Sequence, residues 1–280
     1  MRVIIALAKA LWWVIKGVAR MIAWLAKSIW ALITRGASHA KKAHQKRAEV
    51  SKVERHKKEA QKKFGDAKYQ SFSIKNLISG SFESFEKRIL NDSLIIAVAG
   101  KRGSGKSSLG FALLENIHAK TQRPCFVLGV PGQHLPVWIA SVTDIEQVKN
   151  DGVVLVDEGA ITFSSRASMS SKNKELGGLL AIARHKNMSL ILITQNTGML
   201  DKNVLNLCDM VLLKQGSLLQ EEMERPVIKK LYERATPALN ALQDHEKKGG
   251  VYIIDGDFEG VAVIGLPSFW SQSLSKNRAN

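Results

Sequence analysis

Residues 94–108 read LIIAVAGKRGSGKSS, and this stretch decides the fold. An apolar run, 94–99, makes a buried strand; the loop Gly100, Lys101, Arg102, Gly103, Ser104, Gly105 follows; Lys106, Ser107 and Ser108 open a helical pattern that continues to residue 118. The spacing G-x-x-x-x-G-K-[ST] between a strand and a helix describes a phosphate-binding loop. Its glycines let the backbone turn tightly, so that successive N–H groups point at phosphate oxygens, and the helix offers its positive end to the same anion. Residues 100–108 are thus the expected nucleotide-binding set, with Lys106 bridging the β- and γ-phosphates of ATP and Ser107 giving its hydroxyl to Mg²⁺.

Two further apolar strands end in polar residues. VVLVDE, residues 153–158, places Asp157 and Glu158 at a strand terminus, with Asp157 51 residues after Lys106. Asp157 suits a contact with Mg²⁺ through water, and Glu158 suits the base that takes a proton from the attacking water. A strand-ending turn would explain the pair alone; the loop upstream favours catalysis. LILITQ, residues 190–195, ends in Gln195. In open parallel sheets ligands bind at the carboxyl edge, which puts Gln195 near the γ-phosphate unless it merely starts a loop.

Around these lie strand candidates at 125–130, 210–213, 251–254 and 261–264, and helical stretches at 173–185 and 217–243, the latter with possible breaks at Pro226 and Pro237. The alternation predicts an α/β domain with a mostly parallel sheet over residues 71–280, the last two strands forming a hairpin at the sheet edge through residues 255–260. The serine-rich stretch 160–173, AITFSSRASMSSKN, reads as a loop beside the site, or one that touches nucleic-acid phosphate.

Charge separates the rest of the chain from this domain. Of 41 Lys+Arg and 25 Asp+Glu, residues 1–70 hold 17 and 4, a net +13; residues 71–280 hold 24 and 21, a net +3. Disorder, a collagen-like fibre and a disulfide scaffold are excluded by composition. Cys125 and Cys208, 83 positions apart, make neither a metal pair nor a bridge framework, which suits a reducing compartment.

Residues 1–35 read as an amphipathic helix in a membrane interface. The longest uncharged run is seven residues, 28–34, against the roughly 20 a spanning helix needs. At about 100° per residue Arg2, Lys9, Lys16, Arg20 and Lys27 form one stripe, aliphatic residues such as Leu7, Val14, Val18 and Leu25 lie opposite, and Trp12, Trp13, Trp24 and Trp30 sit at the borders. That pattern expects an anionic membrane surface; packing on a partner or on the chain's own globule is the plainer reading. Residues 36–70 read as a basic helical linker, serving as solvated spacer or as a contact for lipid or nucleic-acid phosphate.

The loop GKRGSGKSS, the strand VVLVDE and the stretch LLAIARHKNMSLILITQNTGMLDKNVLNLCDMVLL resemble the FtsK/HerA superfamily of ring-forming, DNA-pumping ATPases over about residues 92–215. Within it the chain is similar to genome-packaging ATPases of membrane-containing viruses, and next to Zot-like assembly ATPases of filamentous phages. The resemblance implies a RecA-like P-loop NTPase of the additional-strand type, ATP hydrolysis with Mg²⁺, double-stranded DNA as substrate, self-association into a ring, expected as a hexamer, and capsid or portal-like partners. It also implies an arginine acting across the subunit interface. Arg184 in ARHKN is the first candidate, Arg166 the second, although Arg184 also suits a helix C-terminus. The expectation is a membrane-associated motor with its ATPase domain on the cytoplasmic side, or at a virion membrane. The alternative is a membrane-bound assembly or secretion ATPase acting on protein; the short polar end after Gly265, where Zot-like proteins carry a membrane span, counts against it.

Overall fold

The computed structural model describes residues 64–157, 169–194, 202–217 and 226–271, together with Trp12, Met21, Lys27 and Leu274. The chain divides into two compact units, residues 1–59 and 60–280. In the first, Trp12, Met21 and Lys27 are helical and exposed; the remaining membrane-contact candidates, Arg2, Lys9, Trp13, Lys16, Arg20, Trp24 and Trp30, lie outside the described residues. No helix among the described residues is long and apolar enough to cross a membrane. The second unit begins inside the stretch that composition assigned to the linker.

Among the described residues nine strands form one sheet in the second unit, in the order β1-β9-β8-β7-β2-β6-β5-β3-β4. They are β1 Ser73–Gly80, β2 Ile95–Ala99, β3 Cys125–Leu128, β4 Ile139–Val142, β5 Val153–Asp157, β6 Ser189–Thr194, β7 Met210–Leu213, β8 Gly250–Asp255 and β9 Phe258–Val263. From β7 to β4 every pairing is parallel, and β7–β8, β8–β9 and β9–β1 are antiparallel. Strand β6 separates the loop strand β2 from the Asp157 strand β5, which is the additional-strand, RecA-like arrangement expected.

The inner parallel strands β2, β3, β5 and β6 are apolar along most of their length because both faces are covered, whereas β4, IASV at the sheet edge, exposes its middle two residues. Ile96, Val98, Leu155, Ile191 and Ile193 face one core layer, and Ile95, Ala97, Val154, Val156, Leu190 and Leu192 the other. Helices α1 (Phe82–Asn91) and α2 (Lys106–Thr121) cover the first layer with Phe85, Ile89, Phe111 and Leu114. Helices α3 (Met169–His185) and α5 (Pro226–Asn240) cover the second with Leu180, Ala183, Ile228, Tyr232 and Leu239. The short α4, Lys202–Leu207, precedes β7.

The sequence expectations need four corrections here. Strands β1 and β4 and helix α1 lie outside the sequence expectations: all eight residues of β1 and the middle two of β4 are exposed, so neither carries a buried alternation, and α1 buries only Phe85 and Ile89. Strand β1 therefore takes the sheet edge expected for the β8–β9 hairpin. That edge is broken by two register shifts and carries Lys75, paired with Glu246 at 2.6 Å, both devices that discourage further strand pairing. The hairpin turn is shorter than expected, because Phe258, 1 % exposed, is drawn into an aromatic cluster with Phe82 and Phe85. Within the stretch 217–243, Pro226 starts α5 instead of breaking it, in the first turn where an N–H has no partner to lose, and Pro237 lies inside its last turn, where the helix forgoes one backbone N–H donor without ending. Finally, α3 begins at Met169, so residues 169–173 of the serine-rich stretch are helix; residues 158–168 lie outside the described residues.

Candidate nucleotide site

Parallel register brings the expected residues to one sheet edge. Ala99 pairs with Thr194 and with Leu213, and Asp157 pairs with Ile193. The carboxyl ends of β2, β6, β5 and β7 therefore open side by side, with Gly100 two strand spacings, about 10 Å, from Asp157.

The loop between β2 and α2 is held from several directions. Lys101 N–H donates to Gln215 O at 2.9 Å, and Ser104 N–H to Lys101 O at 3.3 Å. Lys106, 5 % exposed, folds back to donate from Nζ to Gly100 O and Lys101 O, both at 2.8 Å. Ser108 Oγ donates to Gly105 O at 2.9 Å. Gly105 caps α2 in a left-handed conformation, φ +90°, and a Cβ there would meet Lys248 O at 2.7 Å, so neither its backbone nor its space admits a side chain. Lys101 and Arg102 point into solvent.

Two observations fit this cradle to an anion. No side chain caps the N-terminus of α2 and no acid occupies its first turn, which leaves amide N–H groups for a ligand. Ser104 Oγ is buried without a hydrogen-bond partner, an uncompensated polar atom of the kind a phosphate oxygen would satisfy. Half-buried Ser107 and Asp157 are the residues that would hold Mg²⁺. Among the described residues no cluster of three or more metal-ligating His, Cys, Asp or Glu occurs; a Mg²⁺ that keeps waters and takes phosphate oxygens does not require one.

Other expected residues fall elsewhere. Glu158, Gln195 and Arg166 lie outside the described residues. Arg184, in the last turn of α3, is exposed and donates from Nη2 to Leu207 O at 3.2 Å. It sits at the amino ends of the strands, a strand length of roughly 20 Å from its own loop.

Fold and loop together are those of a P-loop NTPase. Residues 133–217 match the model of the family described as zonular occludens toxin (Zot), and that segment contains the second and third stretches on which the sequence resemblance rests. No curated protein is significantly similar in sequence. Among solved structures, the genome-packaging NTPase B204 of Sulfolobus turreted icosahedral virus 2, with ATP-γS, is 14% identical over 63% of this chain and 98% of its own, with a TM-score of 0.44. The conjugation coupling protein TcpA of pCW3 is 12% identical over 76% of each chain, TM-score 0.46. EssC from Geobacillus thermodenitrificans is 12% identical over 76% of this chain and 48% of that one, TM-score 0.43. At such values these likenesses carry no argument about activity.

Lys214 is a site residue that the sequence reading passed over. It follows β7 at the same carboxyl edge, is 1 % exposed, and donates from Nζ to Lys248 O at 2.7 Å. Burial first, and Lys106 second, push its pKa down to about 7. The rule that singled out Asp157 and Gln195, a polar residue ending an apolar strand, also selects the lysine in MVLLK.

Proposed function

We propose that this chain is an ATP-driven motor that moves double-stranded DNA, in the manner of a genome-packaging ATPase, as a ring held at an anionic membrane by residues 1–35. The observation that carries the ATPase reading is the cradle itself: an uncapped helix N-terminus, the unpartnered Ser104 hydroxyl and the Lys106 amine, beside Asp157 with one strand between. Lys106 and the loop amides hold and orient the phosphates, and Glu158, next after Asp157, removes the proton from the attacking water. Mg²⁺, which Ser107 and Asp157 would hold, would supply positive charge to the phosphates when bound. DNA as substrate is supported by the resemblance and by the +13 charge of residues 1–70.

One experiment tests substrate and location together: ATPase rates of the full chain with and without duplex DNA, and with anionic liposomes. Stimulation by duplexes of unrelated sequence that fades steeply with salt is expected, because counterion release supplies most of such affinity. A flat salt response or strict sequence preference would argue against a translocase. A full chain that stays in solution with the liposomes would argue against membrane attachment.

The Zot match over residues 133–217 favours a second reading, an assembly or secretion ATPase acting on protein. Stimulation by a coat or secretion protein, with indifference to DNA, would support it.

We infer that Arg184, which lies away from its own loop, serves a neighbour's site, where a cation stabilises the charge developing in phosphoryl transfer. Mixing inactive Arg184→Ala and Lys106→Ala chains should restore part of the activity, since some interfaces then join an intact loop to an intact arginine. Oligomers confirmed by mass that remain inactive when mixed would exclude this role.

A further inference from the structure

The two residues after β7 run beside the end of β2 and the start of the loop: Lys214 N–H donates to Ala99 O at 2.8 Å, and Gln215 O accepts from Lys101 N–H at 2.9 Å. The Lys214 side chain then passes under the loop. A Cβ on Gly100 would lie 2.7 Å from Lys214 Cβ, and one on Gly105 would lie 3.5 Å from its Cε. Its Nζ reaches Lys248 O at 2.7 Å, the same carbonyl that closes on Gly105. One buried amine thus spans the loop from end to end and ties it to the turn leading into β8. A hydrogen bond to a neutral carbonyl does not offset the cost of burying a positive charge, so a purely structural role would be served at lower cost by an apolar side chain.

We propose that Lys214 is a second cation of the nucleotide site, a positioning residue that braces the loop through Gly100, Gly105 and Lys248 and lends positive charge to the phosphates of a bound nucleoside triphosphate. The inference rests on the nucleotide-binding reading above. Among the described residues the charged side chain acting on Lys214 is Lys106, from the first turn of α2; Gly100 and Ser104 of the loop are uncharged, and the turn before β8 reaches it with the carbonyl of Lys248. Burial, and after it Lys106, push the pKa of the amine down to about 7 in the protein alone. Arriving phosphates favour its charged form, so binding takes up a proton at pH values above about 7 and below the ordinary lysine range, and affinity falls as pH rises through that window.

Calorimetric titration of the full chain with Mg·ATP-γS, in two buffers of different ionisation heat at pH 6.5 and pH 8, reads this uptake directly. The parental protein should take up more protons at pH 8 than at pH 6.5. Lys214→Met should bind about tenfold more weakly at pH 6.5 and lose the pH-dependent uptake. Lys214→Arg, whose charge is fixed, should lose the uptake while keeping affinity better than the methionine variant; it serves if Lys214→Met does not fold. Equal uptake at both pH values in the parental protein, or uptake unchanged in either variant, would overturn the role of Lys214 alone. Failure of the parental protein to bind Mg·ATP-γS would overturn the nucleotide reading with it.

Discussion

Lys106→Ala is expected to abolish nucleotide binding in practice and to lower ATP turnover by about 10²- to 10³-fold or more, since one preorganised charge contact in the transition state is worth that much. The structure adds a reason beyond lost charge. Lys106 Nζ bridges Gly100 O and Lys101 O, so its removal also frees the loop from its own helix. Glu158→Gln should behave differently, binding ATP normally while hydrolysis stops, because it removes a base and leaves the cradle intact. Equilibrium binding and steady-state turnover on both variants separate the roles; near-parental turnover in Glu158→Gln would place the base elsewhere.

The largest expected effect on stability lies behind the loop, on the far part of α2. Glu115 is 1 % exposed, yet its carboxylate accepts from Lys68 N–H at 3.1 Å, from Ser268 N–H at 2.8 Å and from Ser268 Oγ. Asn116 beside it accepts from Gln70 N–H at 2.8 Å and donates to Gln70 O at 2.7 Å. The segments entering and leaving the nine-stranded unit are thus both fastened to the helix that starts at the phosphate loop. Glu115→Ala leaves three donors without their acceptor and should cost about 3 kcal/mol, a fall in Tm of roughly 10 °C for a domain of this size. Glu115→Gln, which keeps an acceptor oxygen, should recover part of it. A thermal melt of Glu115→Ala that matches the parental one would show that the clamp contributes nothing.

The stretch LIIAVAGKRGSGKSS determines by itself a buried strand, a phosphate-binding turn and a helix, because each depends on neighbours in sequence: apolar continuity, glycine conformations and the exposed amides of a helix start. The same holds for VVLVD and LILIT, whose unbroken apolar character announces strands covered on both faces, and for the charge contrast between residues 1–70 and the remainder. Tertiary structure alone decided the order of the strands and everything that follows from it. Strand β1 carries no alternation because all of it is exposed, and it exists because β9 offers a free edge; α1 exists because Phe85 has Phe72 and Phe258 to pack on. The buried carboxylate of Glu115 and the buried amine of Lys214 look, in sequence, like any surface charges. What buries them is contact with residues 153 positions away for Glu115 and 34 for Lys214, and no local pattern encodes a partner that only folding brings near.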